Sequence, residues 1–163
     1  MYLPKRLQPY IELIDEKHGT NIIVKGILSC CDQHRFHITF SGKLTTSLVG
    51  HKYIKQEKDA VVIIANCAVC GKEIPVFNSC TDGYDNCVNH FAAPSSFGFN
   101  NFSCSKCSTD CFSIELSFEY QSKEELENDG VHEYENAFSW IWISPTCSCC
   151  KKTYRNLIDI ETS

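Results

Sequence analysis

Cysteine is the residue type most able to do chemistry here: the 163-residue chain carries twelve of them. Cys67 and Cys70, Cys104 and Cys107, and Cys147 and Cys150 each stand three positions apart. At that offset two thiolates on one tight turn can face a single ion, the usual spacing of zinc-ligand pairs. A fourth candidate pair lies in "CCDQH", where Cys31 and His34 share the offset and Cys30 is an alternative to Cys31. Two ions are therefore expected, one on Cys31, His34, Cys67 and Cys70, the other on Cys104, Cys107, Cys147 and Cys150. Zinc takes four ligands in a tetrahedron and accepts thiolate and imidazole in any mixture, so each Zn2+ would be closed to water and structural. Five cysteines stay outside this scheme: Cys30, Cys80, Cys87, Cys111 and Cys149. Cys111 opens an apolar run and reads as core, while Cys80 and Cys87 flank the turn-like "TDGYDN".

Other thiol chemistries fit less well. A redox Cys-x-x-Cys prefers a strand-to-helix turn, where the helix N-terminus lowers a thiol pKa. After Cys70 the chain meets Gly71 and Pro75, which interrupt a helix. Disulfides need an oxidising compartment. The opening "MYLPKRLQPYIELIDEKHGTN" places prolines and charges where a signal peptide needs an apolar stretch, so the expected location is cytoplasmic. No run approaches the roughly 18 to 20 apolar residues that span a bilayer, and no membrane association is expected. The deaminase pattern needs His-x-Glu and Pro-Cys-x-x-Cys. Here His132 and Glu133 are adjacent and Thr146 separates Pro145 from Cys147. No His-Glu-x-x-His, phosphate-binding glycine loop or Gly-x-Ser-x-Gly occurs, so no catalytic residue is expected.

The segments between the pairs must bring them together. After "CCDQH" comes "RFHITFSG", with Phe36, Ile38 and Phe40 alternating against polar neighbours, as in a half-buried strand. The apolar "AVVIIA" follows as a strand, then Cys67 and Cys70, then "GKEIPVFN". The second half repeats this order: "CSKC", the alternating "CFSIELSFEY", an acidic insert, "FSWIWIS", Cys147 and Cys150, then "KKTYRNLIDI". The two later pairs lie 80 residues apart, Cys67 to Cys147 and Cys70 to Cys150. A degenerate internal repeat is the simplest reading. Residues 1–88 would form one unit and 89–163 a second, joined by the linker "SSFGFNNF". At the N-terminus Leu7, Ile11 and Ile14 fall at helical spacing with Gly19 as a stop, which predicts a short helix after Pro9. The fold class expected is mainly β, a small α+β protein.

The order Cys-x2-Cys, β-hairpin, Cys-x2-Cys, closing strand resembles the zinc ribbon superfamily. Residues 104–160 carry the resemblance most fully, and it implies two ribbon-like hairpin units packed together, each built on a metal. Ribbons serve many roles, so the resemblance implies a fold and a metal and leaves the task open.

Fifteen basic and twenty acidic residues give a net charge of −5, which speaks against a general affinity for nucleic acid. The insert "QSKEELENDGVHEYEN" gathers Glu124, Glu125, Glu127, Asp129, Glu133 and Glu135 around one lysine. It reads as a solvated loop or, more pointedly, as an acidic docking surface for a basic partner. Phe138, Trp140 and Trp142 would share one face of a strand, with Ile141 and Ile143 on the other, as in a buried central strand or an exposed stacking platform. The function expected is a zinc-stabilised binding protein, a protein-interaction module of adaptor or inhibitor type. The alternative is a nucleic-acid-associated ribbon using Lys72, Lys151, Lys152 and Arg155.

Overall fold

A computed structural model describes residues 1–56, 60–89 and 98–163. The chain opens on a single 3-10 turn, Gln8–Tyr10, and passes directly into β1 (Ile11–His18) and β2 (Ile22–Leu28). Then follow β3 (Phe36–Ser41), β4 (Lys43–Thr46), β5 (Lys52–Lys55), β6 (Val62–Cys67) and β7 (Glu73–Asn78). A short α1 (Tyr84–Asn89) precedes β8 (Asn100–Asn101) and β9 (Phe112–Tyr120). Next come α2 (Lys123–Asn128), a 3-10 turn at Tyr134–Asn136, β10 (Trp140–Cys147) and β11 (Ile158–Glu161). The fold is mainly β, as the alternating apolar patterns predict.

Two three-stranded antiparallel meanders repeat one plan. In the first, β6 lies between β3 and β7; in the second, β10 lies between β9 and β11. The registers correspond: Phe36 faces Cys67 as Phe112 faces Cys147. The meanders are also joined. One edge of β9 pairs with the whole of β10, and the other is shared between β2 and the start of β3, where Phe36 faces Phe112. Nine strands thus form a single sheet among the described residues, with β4 and β5 as a separate hairpin. One apolar cluster runs beneath both meanders, from Val24, Phe36 and Ile63 to Phe112, Leu116 and Ile143.

The predicted N-terminal helix is confined to its first turn. Pro9 pre-sets that turn, but residues 11–18 pair with β2 along their length, with one bulge at Ile14, and the buried residues of β2 alternate cleanly. Edge-to-edge pairing satisfies those backbone groups and overrides a weak helical spacing. Gly19, read as a helix stop, instead closes the hairpin, donating its N–H to the carbonyl of Asn21 (3.1 Å).

Other expectations are adjusted rather than lost. Residues 95–97 of the expected linker lie outside the described residues; beyond them Phe99 is largely exposed and Phe102 is buried. Strand β10 is not buried on both faces: Ile141 and Ile143 are buried, but Trp140 and Trp142 are half-buried on the opposite face. Phe138 does not share their face, because it precedes the strand and packs on Phe77 and Phe118 in the core. No helix among the described residues is long and apolar enough to cross a membrane.

Candidate metal centres

Three of the cysteine turns share one backbone design. In each, the first cysteine donates its N–H to the carbonyl five residues on: Cys67 to Lys72, Cys104 to Thr109 and Cys147 to Lys152. Its own carbonyl accepts from the N–H four residues on, in Gly71, Ser108 and Lys151. That fourth residue has positive φ in all three turns: 74°, 62° and 63°. Glycine fills this left-handed position without strain, whereas serine and lysine occupy it at a cost. The strands hold the turns in place: Ala68 N–H donates to Arg35 O just before β3, and Ser148 N–H donates to Cys111 O just before β9, both at 2.9 Å.

The fourth turn is built differently. Cys30 and Gln33 exchange both backbone hydrogen bonds at 3.0 Å, and the two residues between them, Cys31 and Asp32, have φ of 56° and 54°. This is the two-residue hairpin turn with both central residues left-handed. It is too tight to act as a Cys-x2-ligand knuckle. His34 leaves the turn and places its Nε2 3.1 Å from Glu12 Oε2 on β1. Cys30, the alternative to Cys31 in the sequence, stands beside it instead: both adjacent thiols join Cys67 and Cys70.

The result is two groups of four thiols, Cys30, Cys31, Cys67 and Cys70 in one, Cys104, Cys107, Cys147 and Cys150 in the other. Within each group all sulfurs lie within 4.8 Å of one another. In the first, Cys30 Sγ is 3.9 Å from Cys31 Sγ and 3.8 Å from Cys70 Sγ. In the second, Cys104 lies 3.5 Å from Cys150, and Cys107 lies 3.5 Å from Cys147. An ion bound tetrahedrally by sulfur at about 2.3 Å sets its ligands about 3.8 Å apart, so both groups fit one. A disulfide would need sulfurs at about 2.05 Å, and the cysteines are free thiols. Each group can hold one metal ion.

The electrostatics favour a cation. Burial pushes the Cys104 thiol up, but the Tyr154 hydroxyl (3.4 Å) and the N–H groups of Cys107 and Lys106 outweigh it and bring the pKa down to about 6. Burial likewise raises Cys67, and N–H groups of Cys70 and Val69 aimed at its sulfur bring it down to about 7. Each group also holds a thiol that resists ionising. Cys30 is pushed up to about 12 by burial and by its hydrogen bonds with Cys67 and Cys70. At Cys150 the Lys152 N–H lowers the pKa, yet burial and the neighbouring thiols of its group prevail and raise it to about 11. Four thiolates cannot share so small a space without a positive ion among them.

The groups are not alike in exposure. Cys104 and Cys147 are buried and their partners half-buried, whereas Cys31 and Cys70 are exposed. Tyr154 ties the second group to the core, its hydroxyl accepting from Ser105 N–H (2.8 Å) while its ring meets Phe102 edge-on. The remaining cysteines stand apart from both groups: Cys111 is buried at the head of β9, Cys149 is exposed, and Cys80 and Cys87 are half-buried.

The acidic residues singled out in the sequence are largely occupied. Glu125 and Ser122 form a reciprocal cap on α2, Glu133 pairs with Lys5 at 2.9 Å, and Asp129 accepts from the Tyr84 hydroxyl. Glu127 meets Lys123 at 3.5 Å, and the Glu135 carbonyl accepts from the buried Tyr120 hydroxyl (2.9 Å). Glu124 lies in the first turn of α2 and is exposed. The basic residues of the alternative reading are divided. Lys72 and Lys152 take equivalent places in different knuckles and lie over the rings of Tyr10 and Tyr154. Lys151 bonds the Ser148 carbonyl in its own turn. Comparisons with protein-family models, with curated proteins and with solved structures each found no match.

Proposed function

We propose that the protein is a binding module whose two cysteine groups each hold a structural zinc ion, in the manner of paired ribbon-like units. The observation that carries this reading is the convergence of four thiols at each site, enough to supply all four ligands of a tetrahedral ion. Zinc suits an all-thiolate tetrahedron and undergoes no redox change of its own. The ions would pin the ends of the meanders, since every turn that supplies ligands opens or closes a strand of the shared sheet. The binding surface is then the protein's outer face and not the metals. The acidic insert is a weaker docking surface than its composition suggests, because four of its six carboxylates are bonded within the fold: Glu125 and Glu127 on α2, Glu133 to Lys5, and Asp129 to Tyr84.

Chelation tests the structural role. Structural zinc contributes about 10 kcal/mol or more of apparent binding energy in small domains. Removing two ions per chain is expected to abolish the cooperative thermal transition, and restoring Zn2+ to recover it. An unchanged transition in metal-free protein would contradict the structural role.

A further inference from the structure

The outward face of the sheet, opposite the core, carries a groove of about 460 Å3 over β2, β9 and β10. Its chemistry comes from Lys25, Glu115, Ser117, Trp142, Ser144 and Arg155. The strand register explains the grouping. Ser117 on β9 faces Lys25 on β2 and Trp142 on β10, so a cation, a hydroxyl and an indole stand in one row across the sheet. In the next row Glu115 faces Ser144.

Ser117 is unusual in this setting. It is 8 % exposed, and of the four buried polar side chains among the described residues the other three are bonded: Ser41 to Ala60 O, Asp82 to Arg6, and Ser139 to Glu119 O. The Ser117 hydroxyl has no hydrogen-bond partner among the described residues, and it lies on the groove floor. That hydroxyl opens onto the groove, where a bound molecule can bond it. Lys25, Glu115 and Arg155 likewise make no ion pair among the described residues. Trp142 is held ready: Trp140 stacks beside it, ring centroids 5.8 Å apart at 13°, and Trp140 Nε1 donates to Asp159 Oδ1 (2.6 Å).

We propose that this groove binds a nucleotide unit, its base stacked on Trp142 and its phosphate held between Lys25 and Arg155. Base stacking on an aromatic ring accepts any base. The Ser117 hydroxyl and the Glu115 carboxylate supply the selectivity, since a carboxylate accepts from an exocyclic amino group and repels a base edge that offers a carbonyl there. Cytosine is therefore preferred to uracil. Beyond Trp140 a second depression gathers Glu119, Glu125, Asp129 and Glu161, so the phosphate is directed towards Lys25 and Arg155. With one cationic pair offset by Glu115, and a chain charge of −5, the site reads one nucleotide and not a long backbone. Salt dependence is correspondingly shallow, reflecting about one or two phosphate contacts. The unit's source is either a free mononucleotide or a residue within a single strand.

The proposal deepens the binding-module reading, and its test is kept separate from the metal. Protein whose content of two zinc ions has been verified is titrated with CMP, with UMP, and with short single strands of oligocytidylate and oligouridylate. The chain's two tryptophans are Trp140 and Trp142, so intrinsic fluorescence reports this face alone. Saturable quenching by CMP is expected, weaker by UMP. Arg155→Ala should weaken binding by about tenfold or more, as should Trp142→Leu measured with a labelled strand. Glu115→Gln should erase the cytosine preference. Tighter binding of oligocytidylate than of CMP marks a single strand as the source, and equal binding marks the free nucleotide; both uphold the site. No saturable quenching by either, in folded zinc-loaded protein, overturns it, as does binding unaltered by Arg155→Ala and Trp142→Leu. Protein that folds without two zinc ions yet binds CMP would instead overturn the zinc reading and leave the groove standing.

Discussion

Cys31 and Asp32 both adopt a left-handed backbone, and that local choice decides which side chains reach the first metal group. With the hairpin turn closed between Cys30 and Gln33, the two adjacent thiols meet Cys67 and Cys70 while His34 is carried to Glu12. Two substitutions separate the alternatives. Cys30→Ser should lower bound metal from two ions per chain to one, or weaken the first ion by about 10- to 100-fold or more. His34→Ala should leave both ions in place, as measured by chromogenic chelator release. The reverse result would restore the histidine as a ligand. Three of the four turns were legible as Cys-x2-Cys because spacing alone encodes a knuckle. The fourth was ambiguous because "CCDQH" is compatible with two turns, and the hairpin turn is chosen by the backbone, with its central residues Cys31 and Asp32 supplying no glycine to announce it.

Strands β3, β6, β7, β9, β10 and β11 were readable because their apolar residues alternate or run continuously between turn residues. The β1–β2 hairpin was not, because its first strand mimics a helix in spacing and its second, "IIVKGIL", gained its meaning only from pairing on both edges. Gly26 marks that close pairing. A Cβ there would lie 2.3 Å from Ile11 Cγ2 and 2.9 Å from the Glu12 carbonyl oxygen. Overpacking of this kind typically costs about 1–3 kcal/mol. Gly26→Ala is expected to destabilise the protein by that amount in denaturant unfolding, with bound metal unchanged. A neutral effect would show that β1 moves freely on β2. The acidic insert shows the opposite failure of composition: six carboxylates suggested a free surface, but a capping box, an ion pair with Lys5 and a bond from Tyr84 bind much of it into the fold.

The sequence reads as two units packed together, and in the fold each sends its insertion onto the other. The β4–β5 hairpin of the first half docks through Ile54, whose N–H donates to Leu157 O (2.8 Å). In the second half, Leu126, Val131 and Ala137 pack with Tyr84 and Cys87 near α1. With β9 paired to β2 as well, thermal unfolding is expected as one transition whose calorimetric and van't Hoff enthalpies agree. Two resolved transitions would show halves that fold separately. The central claim concerns the eight thiols and the ions they enclose. Native mass spectrometry after brief alkylation tests it most directly. The expected species carries two zinc ions, with Cys30, Cys31, Cys67, Cys70, Cys104, Cys107, Cys147 and Cys150 unmodified and the exposed Cys149 alkylated. A folded chain with no bound zinc, or one in which Cys30 is alkylated while both ions remain, would contradict it.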